Sequence, residues 1–339
     1  MQNTKFRRLI GRRNVMGAIP ALLVTGLAMP HVARATTRIA RFGHGNPDDS
    51  QIGQGALAFA AAVAADPVIG GAVTIEVYNN AQLGDDVSAL KSCMKGTLDG
   101  ALIGSSIMAG IVSEVGIINA PYLFRDAAQA RAALDGPIGV ALMDASRARR
   151  LPVLAWGENG VRQLTSNVPV RTVADLHGLK IRVPPAAIFV DGFRALGAAP
   201  APLAFGLLKD ALHSGEFTAE ENAISTVQAA KLYEVQKYLC LTSHIYDAVG
   251  FIASPDLMED LTEPQRVALA DCARKGAAMS RRVAEEGARD GVAKLKAAGM
   301  TVIDDVDLAG FRAAARPYLE SLSNTYGKDR VAALLAAGA

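Results

Sequence analysis

Charge, cysteine and aromatic rings are all scarce in this chain, and each shortage closes off a class of function. Only 20% of its 339 residues are charged, and they form no long blocks. That argues against a disordered or nucleic-acid-wrapping chain. The three cysteines, Cys93, Cys240 and Cys272, never stand in C-x-x-C spacing, so neither a zinc site nor a redox pair is signalled. An odd number permits one disulfide and a spare, or three thiols. Buried thiols are expected, because Cys272 falls in an Ala-rich helical stretch where cysteine usually serves as a small apolar filler. The five histidines, at 31, 44, 177, 213 and 244, include no pair at metal-ligand spacing. Phosphate-loop, H-E-x-x-H and G-x-S-x-G signatures are missing too, so no metal and no cofactor is expected. The acid pairs Asp48-Asp49 and Asp85-Asp86 read as solvated or helix-capping residues rather than cation ligands.

Acid is absent from one end altogether. Residues 1–35 hold Lys5, Arg7, Arg8, Arg12, Arg13 and Arg34 and no Asp or Glu, so the formal charge of +2 comes from that end and residues 36–339 carry −4. A nucleic-acid partner is therefore not expected. A basic start to Arg13, an uncharged stretch from Asn14 to Ala33 and the small residues of Ala33-Arg34-Ala35 predict an export signal over 1–35. Arg12-Arg13, followed by Asn14-Val15-Met16, resembles a twin-arginine signal with an imperfect consensus, although paired arginines also occur in ordinary signal starts. Pro20 and Pro30 argue against an uncleaved anchor. Downstream, the uncharged run Gly100–Ser113 is broken by Ser105, Ser106 and glycines and falls short of the ~18 residues of a span. The mature protein is expected to be soluble.

What remains is long enough for two lobes, on a prior of ~150 residues per domain. From residue 39 short apolar runs alternate with helical stretches, the mark of an α/β protein. Strands are predicted at Ile39–Phe42, Val73–Tyr78, Leu98–Ile103, Pro152–Trp156, Leu179–Val183, Val235–Leu241 and Ala248–Ala253. Helices are predicted at Gly55–Ala65, Asp85–Lys95, Asp126–Leu134, Ile138–Arg147, Pro184–Leu196, Phe205–His213 and Asn222–Leu232. Thr262-Glu263-Pro264-Gln265 is a capping-box start, and the helix it opens runs to Ala298 before Gly299. At ~50 Å such a helix bridges two lobes unless Gly276, Gly287 or Gly291 kinks it. No linker is evident, so the chain is expected to cross between lobes more than once.

One feature imitates a dinucleotide site. Gly53-Gln54-Gly55-Ala56-Leu57-Ala58 is a G-x-G-x-x-A opening a helix, with Glu76 near the place of a ribose-binding acid. Ten residues separate Phe42 from Gly53, however, and the first glycine should turn straight out of the strand. Two arginines carry a better signal. Arg182 sits on a short apolar strand just before Pro184-Pro185, and Arg162 follows Glu158-Asn159-Gly160-Val161 in an apolar setting. A guanidinium in a cleft matches a carboxylate two bonds at a time. The other reading is that each pairs with an acid of its own lobe, such as Glu158 or Asp175.

Nine segments in order resemble the extracytoplasmic solute-binding proteins of TRAP transporters, the DctP-type family. They are Phe42-Gly43-His44, Asn80–Gly84, Gly96–Asp99, Pro121–Phe124, Glu158–Arg162, Asp175–Arg182, Leu196–Ala198, Glu221-Asn222 and Tyr233–Tyr238. The resemblance implies a two-lobed periplasmic-binding-protein fold of the α/β class, with crossing strands and a long inter-lobe helix. Lobe I would hold 36–157 plus about 245–255, and lobe II 158–244 plus about 256–339. It also implies that Arg182 forms the salt bridge to a ligand carboxylate, that Arg162 and Asn222 are further polar anchors, and that Phe205 is a pocket wall. Trp156, Phe189 and Tyr246 are further aromatic candidates for that wall, though in a chain with 5% aromatics they serve equally as core. One segment departs: where the family usually reads Val-Asp-Gly-Gln-Glu-Asn-Pro, this chain has Phe217-Thr218-Ala219-Glu220-Glu221-Asn222-Ala223. Gly100–Gly104 also lacks the acid expected of a sialic-acid binder, which points to a smaller ligand. The implied protein is a periplasmic monomer, not an enzyme. It would carry a small mono- or dicarboxylate to the small and large TRAP membrane subunits. An exported cofactor-bearing enzyme and a sensory binding protein of the same fold are the alternatives.

Overall fold

The computed structural model describes residues 37–329 together with 331 and 332; the export signal expected over 1–35 lies outside them. The described chain begins with β1 (Arg38–Gly43), α1 (Gln51–Ala65), β2 (Val73–Tyr78), α2 (Asp86–Met94) and β3 (Gly100–Gly104). β1 lies between β2 and β3 and parallel to both. Ser50 caps α1 through the Gly53 N–H, and Asp85 caps α2 through that of Ser88. Then follow α3 (Ser105–Met108), α4 (Ala127–Asp135), α5 (Pro137–Ala148) and β4 (Val153–Ser166). The second run is β5 (Lys180–Val183), α6 (Ala187–Ala195), β6 (Ala199–Pro202), α7 (Leu208–Ser214), β7 (Ala219–Ala223), α8 (Ile224–Ala229) and β8 (Tyr238–Ala253).

All of these strands join one sheet in the order β2-β1-β3-β8-β4-β7-β5-β6. β4 and β8 are its spine, 14 and 16 residues long and antiparallel. The first half of β4 pairs with the end of β8, which lies beside β3. The second half of β4 pairs with the start of β8 and with β7. Both strands thus run from one half of the protein into the other, the crossing connection expected of the fold. The ladder is irregular between Glu158 and Gly160 and between Arg162 and Leu164. At the first break Gly160 has φ +126°, a backbone conformation that a side chain would strain.

The chain ends with α9 (Pro255–Asp260), α10 (Glu263–Ala297), β9 (Thr301–Ile303) and α11 (Leu308–Tyr326). α10 is one unbroken helix of 35 residues opened by the Thr262/Gln265 capping box. Its glycines are places of close approach rather than kinks. A Cβ on Gly276 would lie 2.7 Å from the Gly55 carbonyl oxygen and 2.8 Å from both Phe59 and Phe251. Gly55 in turn faces Ser280 and the Gly276 carbonyl. The dinucleotide-like glycine is therefore explained by α1 packing on α10. No described helix is long and apolar enough to cross a membrane. The three cysteines are free and buried.

Several expected elements need correction. Ala219–Ala223 is a strand and only Ile224–Ala229 is helical, where a helix over Asn222–Leu232 was expected. Ala and Glu favour helices, but a segment hydrogen-bonded between β4 and β5 is extended by its neighbours. The two strands expected at Val235–Leu241 and Ala248–Ala253 are one, because polar His244 and Asp247 interrupt the apolar run without ending β8. The strand expected at Pro152–Trp156 continues as β4 to Ser166. The helix expected over Phe205–His213 starts with a 3₁₀ turn at Phe205–Leu207 and becomes α-helical at Leu208.

Candidate functional site

Parallel α/β sheets present loops and helix N-termini at the carboxyl ends of their strands, which is where ligands tend to bind. Here the ends of β1, β3 and β5 converge on the middle of β4 and β8. The cleft between them is lined by Asn46, Asp86 and Ser106 from one side and by Arg182, Phe205 and Asn222 from the other. Asn159, Arg162 and Asp247, from the spine, line it as well. Its free space is small, about 40 Å³ for the centre of a water molecule.

The two arginines differ in one respect. Arg162 is buried in β4 and fully engaged. Its Nε donates to Glu221 Oε2 at 2.5 Å, Nη2 to Glu221 Oε1 at 2.8 Å, and Nη1 to Asp247 Oδ2 at 3.1 Å. The ring of Phe189 lies 5.4 Å from its guanidinium carbon. Burial works against its charge, but Glu221 and Asp247 outweigh this and hold its proton more tightly than usual. Arg182 is equally buried. Its Nε and Nη2 donate to the Leu203 carbonyl at 2.8 and 2.6 Å, and it makes no salt bridge among the described residues. Burial lowers its pKa to about 10, with Glu220 and Glu221 offsetting only part of the cost. Nη1 and the second N–H of Nη2 remain uncommitted.

Around these cations the polar groups are closely bonded. Asn159, at the Gly160 irregularity, donates to Asp247 Oδ2 at 2.8 Å, and Asp247 also accepts from Ser105 Oγ at 2.7 Å. Gln51, at the start of α1, donates to the Asn159 carbonyl and to Thr226 Oγ1, each at 2.9 Å. Asn222 donates to Glu220 Oε2 at 2.8 Å. Asp86 is half-buried, but its Oδ1 is enclosed without a partner. Burial, aided by Asp85, raises its pKa to about 6.

Arg182, Arg162, Asn222 and Phe205 therefore come together, and three aromatic candidates do not line this cleft. Phe189 backs Arg162 from the core. Trp156 is buried and donates to the Gly139 carbonyl at 3.1 Å, and it borders a separate cleft between α5 and α10. Tyr246 donates to Glu158 Oε2 at 3.2 Å and faces another surface cleft beside Tyr122 and Phe124. The acids suggested as partners for the arginines lie elsewhere, Glu158 on Arg131 and Asp175 at the Thr172 capping box. Asp86, Asp247 and Asn159 had not been singled out for this site. Asp247 carried a signal, an acid inside the apolar run Ile245–Ala253.

The sequence pattern of bacterial extracellular solute-binding protein family 7, DctP, matches residues 42–325. A solute-binding protein of Verminephrobacter eiseniae is 36% identical over 260 residues, 76% of this chain and 78% of its own. The 2,3-diketo-L-gulonate-binding periplasmic protein of Escherichia coli is 33% identical over 242 residues, 71% of this chain and 74% of its own. Among solved structures, a TRAP periplasmic solute-binding protein of Polaromonas sp. JS666 bound to D-erythronate superposes with a TM-score of 0.86 at 31% identity, covering 89% of this chain and 99% of that one. The crossing strands, the bridging helix and a match over nearly all the described residues lead to one assignment: the chain belongs to the DctP family of bacterial extracellular solute-binding proteins.

Proposed function

We propose that this protein captures a small organic acid in the periplasm, with Arg182 receiving the carboxylate, and delivers it unchanged to TRAP membrane subunits. One observation carries the reading. Arg162 is neutralised by Glu221 and Asp247, whereas Arg182 keeps a buried guanidinium face with no acid on it. Charge left unpaired in a narrow, buried cleft is costly, and an incoming carboxylate relieves that cost with two charge-assisted bonds. Asn222 and Phe205 complete that side of the ligand, while Asp86 and Asn46 offer acceptors to its hydroxyls from the other. Asp86 and Asp247 also make a second ligand carboxylate unwelcome, which favours a hydroxylated monocarboxylate. The ligands named for the relatives above, 2,3-diketo-L-gulonate and D-erythronate, are both organic-acid anions. In this reading the protein acts as a monomer, with residues 36–157 and about 245–255 as one lobe and 158–244 with about 256–339 as the other.

A thermal-shift screen of organic acids tests it, since a ligand at 100 times its Kd stabilises by ~2.7 kcal/mol. Hydroxy acids of four to six carbons should raise the melting temperature, and neutral sugars should not. Calorimetry on Arg182→Lys should then show most of the affinity gone, because an ammonium cannot reproduce the planar fork. Affinity close to wild type in a folded Arg182→Lys protein rules out this anchoring role.

A further inference from the structure

Glu220 and Glu221 are adjacent, both fully buried, and treated differently by the fold. Glu221 has a cation: Arg162 forks onto it, and His244 Nε2 lies 3.2 Å from its Oε2. Glu220 has only neutral donors, Thr165 Oγ1 on Oε1 and Asn222 Nδ2 on Oε2, both at 2.8 Å. Its strand partner across the β5–β7 ladder is Arg182 itself. A buried acid with neutral partners thus stands behind the pocket amide Asn222 and beside the arginine assigned to the ligand.

Resting on the carboxylate-capture reading above, we propose that Glu220 couples capture to proton uptake: when an organic-acid anion binds at Arg182, Glu220 takes up a proton, and capture tightens as the medium acidifies. The cause is competition for one cation. Ionised Glu220 and a bound carboxylate both depend on Arg182, in a cleft where water screens them little. Adding the anion therefore favours the neutral form of Glu220, and by linkage the neutral form favours the anion.

The fold accommodates both protonation states. Thr165 Oγ1 also lies 3.2 Å from Gln236 Oε1, so its hydroxyl can donate there and accept a hydrogen bond from the O–H of neutral Glu220. Burial raises the pKa of Glu220 to about 7, against the opposing effects of Asn222, Thr165 and Arg182. Other charged or titratable groups facing this spot are Arg162 and Glu221, His244 beyond Glu221, and Asp86 and Asp247 across the cleft. Burial lowers the pKa of His244, against the opposing effect of Glu221. Asp86 titrates near Glu220, with a pKa of about 6, so the test must separate the two.

Calorimetry with D-erythronate and 2,3-diketo-L-gulonate, in buffers of different ionisation enthalpy, counts the protons directly. If binding raises the pKa of Glu220 by about one, uptake near pH 7.5 is about half a proton per ligand, and Kd is about fivefold tighter at pH 6 than at pH 8. In Glu220→Gln, which leaves Asp86 and His244 in place and can keep both hydrogen bonds, uptake near pH 8 should vanish, and any that remains should appear only toward pH 6, where Asp86 titrates. Uptake that persists near pH 8 in Glu220→Gln overturns the proposal. Difference infrared spectra of the wild type give a second readout needing no variant: ligand should produce a carboxylic-acid C=O band at neutral pH, and its absence overturns the proposal too. Failure of the whole organic-acid panel to bind at any pH would instead count against the capture reading itself.

Discussion

Removing one member of a buried ion pair leaves the other charged and dry, at a cost of about 3–5 kcal/mol. Arg162→Ala would leave Glu221 and Asp247, both fully buried, without the guanidinium they share. Its main effect should therefore be on stability, about 3–5 kcal/mol in denaturant unfolding. Arg182→Ala strands no salt-bridged acid, so it should spare the fold and weaken ligand binding. A wild-type unfolding midpoint for Arg162→Ala would show that the pair contributes no net stability. The difference between the two arginines was not legible in the chain. Both stand in apolar segments, and both matched family positions. What separates them is Asp247, 85 residues along the sequence from Arg162, brought to it by strand pairing that no local pattern encodes. Asp86 was hidden for a related reason: its neighbour Asp85 is a helix cap, and adjacent acids at a helix start look alike until one turns inward.

At the scale of elements, signals that depend on nearest neighbours were readable and those that depend on tertiary context were not. α10 announced itself through its capping box and a stop at Gly299. β7 did not, because Ala-Glu-Glu-Asn-Ala has nothing β-branched and becomes a strand only between two others. The glycines of α10 lie between these cases: their presence was obvious and their purpose was not. Gly→Ala inside a helix ordinarily gains up to ~1 kcal/mol. At Gly276 the new methyl would press on the Gly55 carbonyl, Phe59 and Phe251, all under 3 Å away, and overpacking of a tight core costs ~1–3 kcal/mol. Backbone and ring atoms of the α1 and β8 packing cannot swing aside, so the clash should win. Gly276→Ala is expected to be destabilised by about 1–2 kcal/mol in chemical unfolding. A gain in stability would mean that α1 and α10 slide apart easily.

For the molecule as a whole, the narrow cleft makes motion a requirement. About 40 Å³ of free space admits roughly three water positions at ~10–15 Å³ each, and even a small hydroxy acid has more heavy atoms than that. Its walls come from both ends of the sheet, Asp86 and Asn46 on one side and Arg182 and Asn222 on the other, so they part only if the halves move. The spine suits such a movement. β4 and β8 are continuous through both halves but irregular at Gly160 and near Ser243, which has φ 45°. Gln51 reaches across from α1 to Thr226 on α8. Opening would break that hydrogen bond, and a ligand bridging both walls would restore it, shifting the population toward the closed form. Solution scattering should therefore show a smaller radius of gyration with an organic acid selected by the thermal-shift screen than without. Amide exchange should slow at Leu179–Val183 and Asn80–Gly84. α10 should exchange slowly in both conditions, since its hydrogen bonds are internal and its glycines seat it on α1. Superimposable scattering curves and unchanged exchange in the cleft, at a ligand concentration shown by calorimetry to saturate, would mean that the acid enters by local side-chain movement and that the lobes do not close.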